Sequence, residues 1–127
     1  MSMPQENLVL IVDDEEMNLI VLSKILKRAG FEVVTAVDGE EAVKRSCEEP
    51  KPSVILMDLM MPKMNGWDAT KIIKEKEETR GIPIVAVTAL SNERDNTLAH
   101  GFDGFCPKPI DFDGLINEIL GFLEKSA

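Results

Sequence analysis

Val54-Ile55-Leu56-Met57-Asp58 is the stretch that decides the fold: four apolar residues run unbroken into a single carboxylate, and a loop with Pro62 and Gly66 follows. A short apolar run without polar alternation suits a strand buried on both faces. The same design recurs along the chain. Leu8-Val9-Leu10-Ile11-Val12 runs into Asp13 and Asp14, residues 82–87 run into Thr88, and Gly104-Phe105-Cys106 runs into Pro107-Lys108-Pro109. Residues 32–36 supply a fifth strand.

Helical patterns fill the spaces between these runs. Residues 15–29 place Val21, Leu22, Ile25, Leu26 and Ala29 on one stripe, and Gly30 stands where a left-handed cap is wanted. Residues 40–47 point Ala42, Val43 and Cys47 inward before Pro50 and Pro52 close the helix. Residues 67–76 do the same with Ala69, Ile72 and Ile73. Residues 92–100 form a short helix with few apolar residues, chiefly Leu98. The last helix has the fullest stripe: Phe112, Leu115, Ile116, Ile119, Leu120 and Leu123. Strict alternation of strand and helix predicts an α/β, doubly wound, five-stranded parallel sheet with helices on both faces. Ligands of such sheets bind outside the carboxyl ends of the strands.

The 127 residues fit one domain, expected to span 1–127 with its core at 8–125, and 44% hydrophobic content supplies that core. Repeats, linkers and room for an output domain are not evident. The net charge of −9 and a pI near 4.6, without a basic cluster, argue against nucleic acid as partner. Cys47 and Cys106 are too few and too far apart for a disulfide framework, and read as reduced thiols. No apolar run reaches membrane-spanning length and residues 1–6 lack a signal-peptide layout, so a cytoplasmic protein is expected.

If the sheet is parallel, Asp13, Asp14, Asp58, Thr88 and Lys108 meet in one crevice. Three carboxylates held close raise the pKa of at least one of them unless a cation intervenes. A hard divalent cation resolves the conflict, and Mg2+ suits a few carboxylates, waters and a phosphate. Taken alone, Asp13 and Asp14 could be an acidic helix start, Lys108 a surface lysine and Thr88 a plain strand residue.

Val12-Asp13-Asp14, Met57-Asp58 with Met61-Pro62 and Gly66, Thr88-Ala89, and Lys108-Pro109 together resemble the signature of CheY-like response-regulator receiver domains. The similarity runs from Leu8 to Leu123. Within the family, residues 57–70 and 82–89 look most like hybrid-kinase receivers and DivK-type single-domain regulators. The resemblance implies a flavodoxin-like (βα)5 fold with strand order 2-1-3-4-5. It implies that Asp58 takes a phosphoryl group from a histidine kinase or histidine phosphotransfer protein, and that the surface then switches for a downstream effector. It makes Asp14 and Asp58 direct Mg2+ ligands, Asp13 a ligand through water, and Met60 a ligand through its carbonyl. Lys108 would pair with Asp58 at rest and with the phosphoryl oxygens afterwards; Thr88 and the Ala89 amide would contact the phosphoryl group. Thr88 and Phe105 would form the switch, Phe105 being otherwise a plain core aromatic. The resemblance also suggests a cis Lys108-Pro109 bond, while Pro107 departs from the common pattern.

The same features leave an alternative, the receiver portion of a hybrid histidine kinase acting as a phosphorelay intermediate. An aspartyl-phosphate hydrolase would normally carry a second acid at position 60, where this chain has Met60, and no Ser/Thr/Gly-rich loop follows the first strand to hold a flavin phosphate. The moving part is expected to be the helix at 92–100, which with the fifth strand and last helix would form the partner face. Met60 and Leu90 should flank the phosphoryl site without orienting an attacking water, prolonging the acyl phosphate. Asn18 either buttresses the acidic pair or serves a nearby backbone group, the latter being the plainer expectation. His100 reads as an exposed helix-end cation, Trp67 as a partly exposed helix start, and Met17, Met57, Met60, Met61 and Met64 as packing residues.

Overall fold

A computed structural model describes residues 7–90 and 92–126. The element order is β1 (Leu8–Val12), α1 (Glu16–Arg28), β2 (Glu32–Ala36), α2 (Gly39–Ser46), β3 (Val54–Met57), α3 (Gly66–Glu75), β4 (Ile84–Thr88), α4 (Arg94–Ala99), β5 (Gly104–Pro107) and α5 (Phe112–Ser126). All neighbouring strands pair in parallel, in the order β2-β1-β3-β4-β5. The doubly wound sheet expected from the alternation is present, in the order that the resemblance implied.

β1, β3 and β4 are buried at every position because a helix layer covers each face. One layer joins Ala42 of α2 and Ala69 and Ile73 of α3 to alternate strand residues such as Leu10, Ile55 and Met57. The opposite layer joins Leu19, Leu22 and Leu26 of α1 and Leu115 and Ile119 of α5 to Val9, Ile11 and Leu56. This two-faced burial explains why the strands read as continuous apolar runs instead of alternating ones.

Several inward positions differ from the periodicity reading. The buried stripe of α1 is Leu19, Leu22 and Leu26, whereas Val21 and Ala29 are exposed and Ile25 only half-buried. Val21 lies two residues beyond Leu19, about 200° around the helix at 3.6 residues per turn, so it turns away from the sheet. Ser46 takes the buried place in α2, with Cys47 half-buried at the cap. Ile72 is half-buried beside fully buried Ala69 and Ile73. In α4 the buried residue is Thr97, and Leu98 faces solvent. Leu120 of α5 is exposed as well, one residue past buried Ile119. β4 begins at Ile84, later than expected, because Pro83 has no N–H to give the ladder. Met57 is core and Met61 and Met64 pack against it, but Met17 and Met60 are exposed. Gly30, at φ 106°, holds the left-handed position expected after α1.

Candidate functional site

The carboxyl ends of β1 and β3 lie side by side, Val12 pairing with Met57, so the residues that follow them meet. The Asp58 amide continues this pairing by donating to the Val12 carbonyl at 3.0 Å, while the Asp13 amide donates to the Ala36 carbonyl of β2 at 3.1 Å. Carboxylate oxygens of Asp13, Asp14 and Asp58 consequently lie within 4.8 Å of one another. Asp13 and Asp58 are buried and Asp14 is exposed, which makes one wall of the cluster open to solvent.

Asp13 is heavily bonded. Its Oδ1 accepts from the Glu15 amide at 2.9 Å, and its Oδ2 accepts from Asn18 Nδ2 and from Lys108 Nζ, both at 3.1 Å. Asn18 also donates to Glu15 Oε1 at 2.8 Å. Of the acidic pair it therefore buttresses Asp13, with Glu15 as its second partner, instead of serving a backbone group, because the first turn of α1 brings its amide beside these two carboxylates. Burial pushes the Asp58 carboxyl up to about 6 from its ordinary value near 3.8; Lys108 opposes this, Asp13 adds to it, and the Met60 and Leu59 amides oppose it. The raised carboxyl anticipated from three adjacent carboxylates is present, but burial, not repulsion, is its largest cause, and of the two neighbouring carboxylates Asp13 is the one that adds to it.

Lys108 Nζ stands 3.9 Å from Asp58 Oδ2 and closer to Asp13. The expected resting pair with Asp58 is present, and a closer contact with Asp13 is added to it, so one ammonium bridges the two buried carboxylates. Pro107 ends β5 opposite Thr88. It does not displace Lys108, whose amide donates to the Thr88 carbonyl at 2.8 Å. The Lys108-Pro109 peptide is cis, as expected.

Thr88 is buried at the tip of β4, and its Oγ1 accepts from the Leu90 amide at 3.1 Å. That bond uses an oxygen lone pair and leaves the hydroxyl proton available to an anion. Ala89, Leu90 and Met60 are exposed around the crevice. Phe105 pairs with Ala86 in the sheet and is already buried in the core beneath α3 and α4. His100 is exposed at the end of α4, with its ring edge-on to half-buried Trp67 at 5.7 Å.

Glycine at position 66 is required by the site itself. A Cβ there would run into the Asp58 carbonyl, and its amide donates to the Leu59 carbonyl at 2.9 Å, closing the loop that carries Met60. At the far end of the same loop, Lys63 adopts φ 66°, and the Gly39 amide donates to the Met64 carbonyl at 2.9 Å. Position 39 did not stand out in the sequence, although Asp38 and Glu41 have the spacing of a capping box. Asp38 Oδ1 accepts from the Glu41 amide at 2.8 Å and Glu41 Oε1 from the Val37 amide at 2.9 Å.

The cluster fits a hard divalent cation: it offers oxygen donors from three carboxylates, and among the described residues Lys108 is the cation paired with them. Among the described residues no helix is long and apolar enough to cross a membrane.

Comparisons with known proteins agree with this geometry. The response regulator receiver domain model matches residues 9–120. A polar-differentiation response regulator DivK of Brucella anthropi is 32% identical over 117 residues, covering 91% of this chain and 94% of the relative. The receiver domain of a sensor histidine kinase from Pseudomonas aeruginosa PAO1, solved with a magnesium ion coordinated in its active-site cleft, superposes with a TM-score of 0.83 at 32% identity, covering 93% of this chain and 98% of that one. The response regulator TrrA of Thermotoga maritima, in complex with Mg2+ and BeF, gives a TM-score of 0.83 at 28% identity, covering 91% and 98%. With a family match across almost the whole sheet and an acidic crevice at its carboxyl edge, this chain belongs to the response regulator receiver domains of two-component signalling.

Proposed function

We propose that the chain accepts a phosphoryl group on Asp58 from a histidine kinase or a histidine phosphotransfer protein, and that the acyl phosphate changes its surface for a downstream effector. One observation carries the reading: a buried carboxyl at the tip of the central strand β3 shares a crevice with two further carboxylates and an ammonium group.

In the transfer, an Asp58 carboxylate oxygen forms a bond to phosphorus as the nitrogen–phosphorus bond of the donor imidazole breaks, and the nitrogen keeps the electron pair. Asp14 and Asp58 would hold Mg2+ directly, Asp13 through water, and Met60 through its carbonyl. Bound Mg2+ supplies charge neutralisation for the acidic crevice and the incoming phosphoryl oxygens. Asn18, Lys108 and the Glu15 amide hold Asp13 still. The Leu59 and Met60 amides orient the Asp58 carboxyl. Lys108 is near enough to move from Asp13 to a phosphoryl oxygen, and the Thr88 hydroxyl and Ala89 amide would donate to the others. Charge-assisted bonds of about 1.5–3 kcal/mol each from Thr88 and Lys108 approach the roughly 5.5 kcal/mol that a near-complete population shift needs.

Phe105 already lies inward. The switch on phosphorylation would therefore act through Thr88 and α4. That helix has six residues, no side-chain cap at its N-terminus and Thr97 as its buried residue, a profile of low local stability. The α4–β5–α5 face is the expected partner surface. Met60 and Leu90 offer no polar group to orient a hydrolytic water, which favours a persistent acyl phosphate. The chain is read as one receiver domain over 1–127, acting in the cytoplasm.

The test is incubation with acetyl phosphate, with and without Mg2+, followed by intact mass and hydrogen exchange. Wild type should gain one phosphoryl group only with Mg2+, Asp58→Ala should gain none, and exchange should slow across α4, β5 and α5. Equal labelling of Asp58→Ala would overturn the assignment.

A further inference from the structure

The loop between Asp58 and Gly66 is held at two points. Its base is closed by the Gly66 amide on the Leu59 carbonyl, at 2.9 Å. Its tip is a tight turn in which the Met64 amide donates to the Pro62 carbonyl at 2.7 Å, with Lys63 between them at φ 66°. Turns of this three-residue kind with a positive central φ are rare and strained, and a lysine gains nothing from the conformation. Something outside the loop must hold it there.

The β2–α2 corner does so. The Gly39 amide donates to the Met64 carbonyl at 2.9 Å, and a Cβ at position 39 would run into that same carbonyl. Beside it, buried Asp38 faces the Lys63 ammonium with Oδ2 at 3.9 Å while its Oδ1 caps α2. Because β1 lies between β2 and β3, these contacts span the end of β1, where Asp13 and Asp14 sit. Asp38 and Gly39 touch none of the reacting groups, yet they fix the far end of the segment whose amides bond the Asp58 carboxyl.

We propose that Asp38 and Gly39 are positioning residues for the acidic site, latching the strained β3–α3 loop across the tip of β1 and so setting Asp58 and Met60 for a divalent cation. The proposal rests on the reading of the site as a Mg2+-dependent phospho-acceptor. Groups that orient metal ligands from behind commonly change affinity by about 10–100-fold when altered.

The experiment is Mg2+ titration by calorimetry on the intact chain, with thermal unfolding of each variant in EDTA. Gly39→Ala should weaken Mg2+ binding by about tenfold or more. Asp38→Asn, which keeps a capping oxygen but loses the charge facing Lys63, should weaken it by about two- to threefold. Thr79→Val is the structural control: it removes the Thr79 Oγ1 bond to the Ile73 carbonyl at the other end of α3. It should lower the melting temperature and leave Mg2+ affinity unchanged. If Gly39→Ala fails to fold, Asp38→Asn decides. Wild-type affinity in Asp38→Asn and in any folded Gly39→Ala would overturn the latch while leaving the phospho-acceptor reading intact. A parallel loss of affinity in Thr79→Val would overturn it too, and a wild type that binds no Mg2+ would overturn both.

Discussion

The two ends of the sheet each hold a half-buried lysine against carboxylate, and they are built oppositely. At the amino ends of the strands, Lys74 Nζ donates to the Arg80 and Ile82 carbonyls at 3.2 and 2.9 Å and to Asp103 Oδ2 at 2.8 Å. The same Asp103 oxygen accepts from the Ile84 amide at 2.9 Å, tying β4 to the start of β5. One ammonium with three donors meets three acceptors, and the charges match. At the carboxyl ends, Lys108 faces Asp13 and Asp58 with Asp14 close by, so negative charge exceeds positive. A matched pair fastens structure; a buried carboxyl in a cluster with excess negative charge carries a cost, chiefly of burial, that a cation can relieve.

That contrast is most easily broken at Asp58. Its carboxyl is raised from 3.8 to about 6, so the folded state binds more protons than the unfolded state between those values. Stability then falls as pH rises through that window, and above it the full cost is present. In EDTA at pH 7, Asp58→Asn should be more stable than wild type by about 2–3 kcal/mol. The advantage should shrink as pH drops below 6 and vanish near 4. A pH-independent difference in urea unfolding would remove the stored cost from the account.

Addition of Mg2+ to wild type tests the same cost from the other side. At a concentration 100 times the dissociation constant, binding to the folded state alone adds about 2.7 kcal/mol. The melting temperature should rise accordingly, and the rise should be small in Asp58→Asn. Smallest is the effect expected at the matched end. Lys74→Met should cost about 1–2 kcal/mol through lost hydrogen bonds, and should leave Mg2+ affinity untouched. A change in affinity there would mean that the two ends are coupled through β4.

The strand tips were legible because a single carboxylate, hydroxyl or lysine after an unbroken apolar run has few places to go. Asp13, Asp14, Asp58, Thr88 and Lys108 belong to one crevice on that ground, and the carboxylates and lysine meet there. Helix faces are less legible. Val21, Leu98 and Leu120 are apolar residues that point to solvent, since periodicity gives the width of a stripe but not its centre. Asn18 was ambiguous because an amide can serve either a backbone group or a carboxylate, and only the packing of α1 against β1 chose the carboxylate.

By itself the sequence determined the order of strands and helices, the burial of the sheet and the chemistry at its carboxyl edge, because these follow from local runs, periodicity and the direction of a parallel chain. Tertiary structure alone decided that Lys108 rests on Asp13, that Asp58 is raised by burial, and that Gly39 meets Met64. Each of these depends on how far apart residues of different elements come to lie, and distances between elements are set by packing, which no single segment encodes.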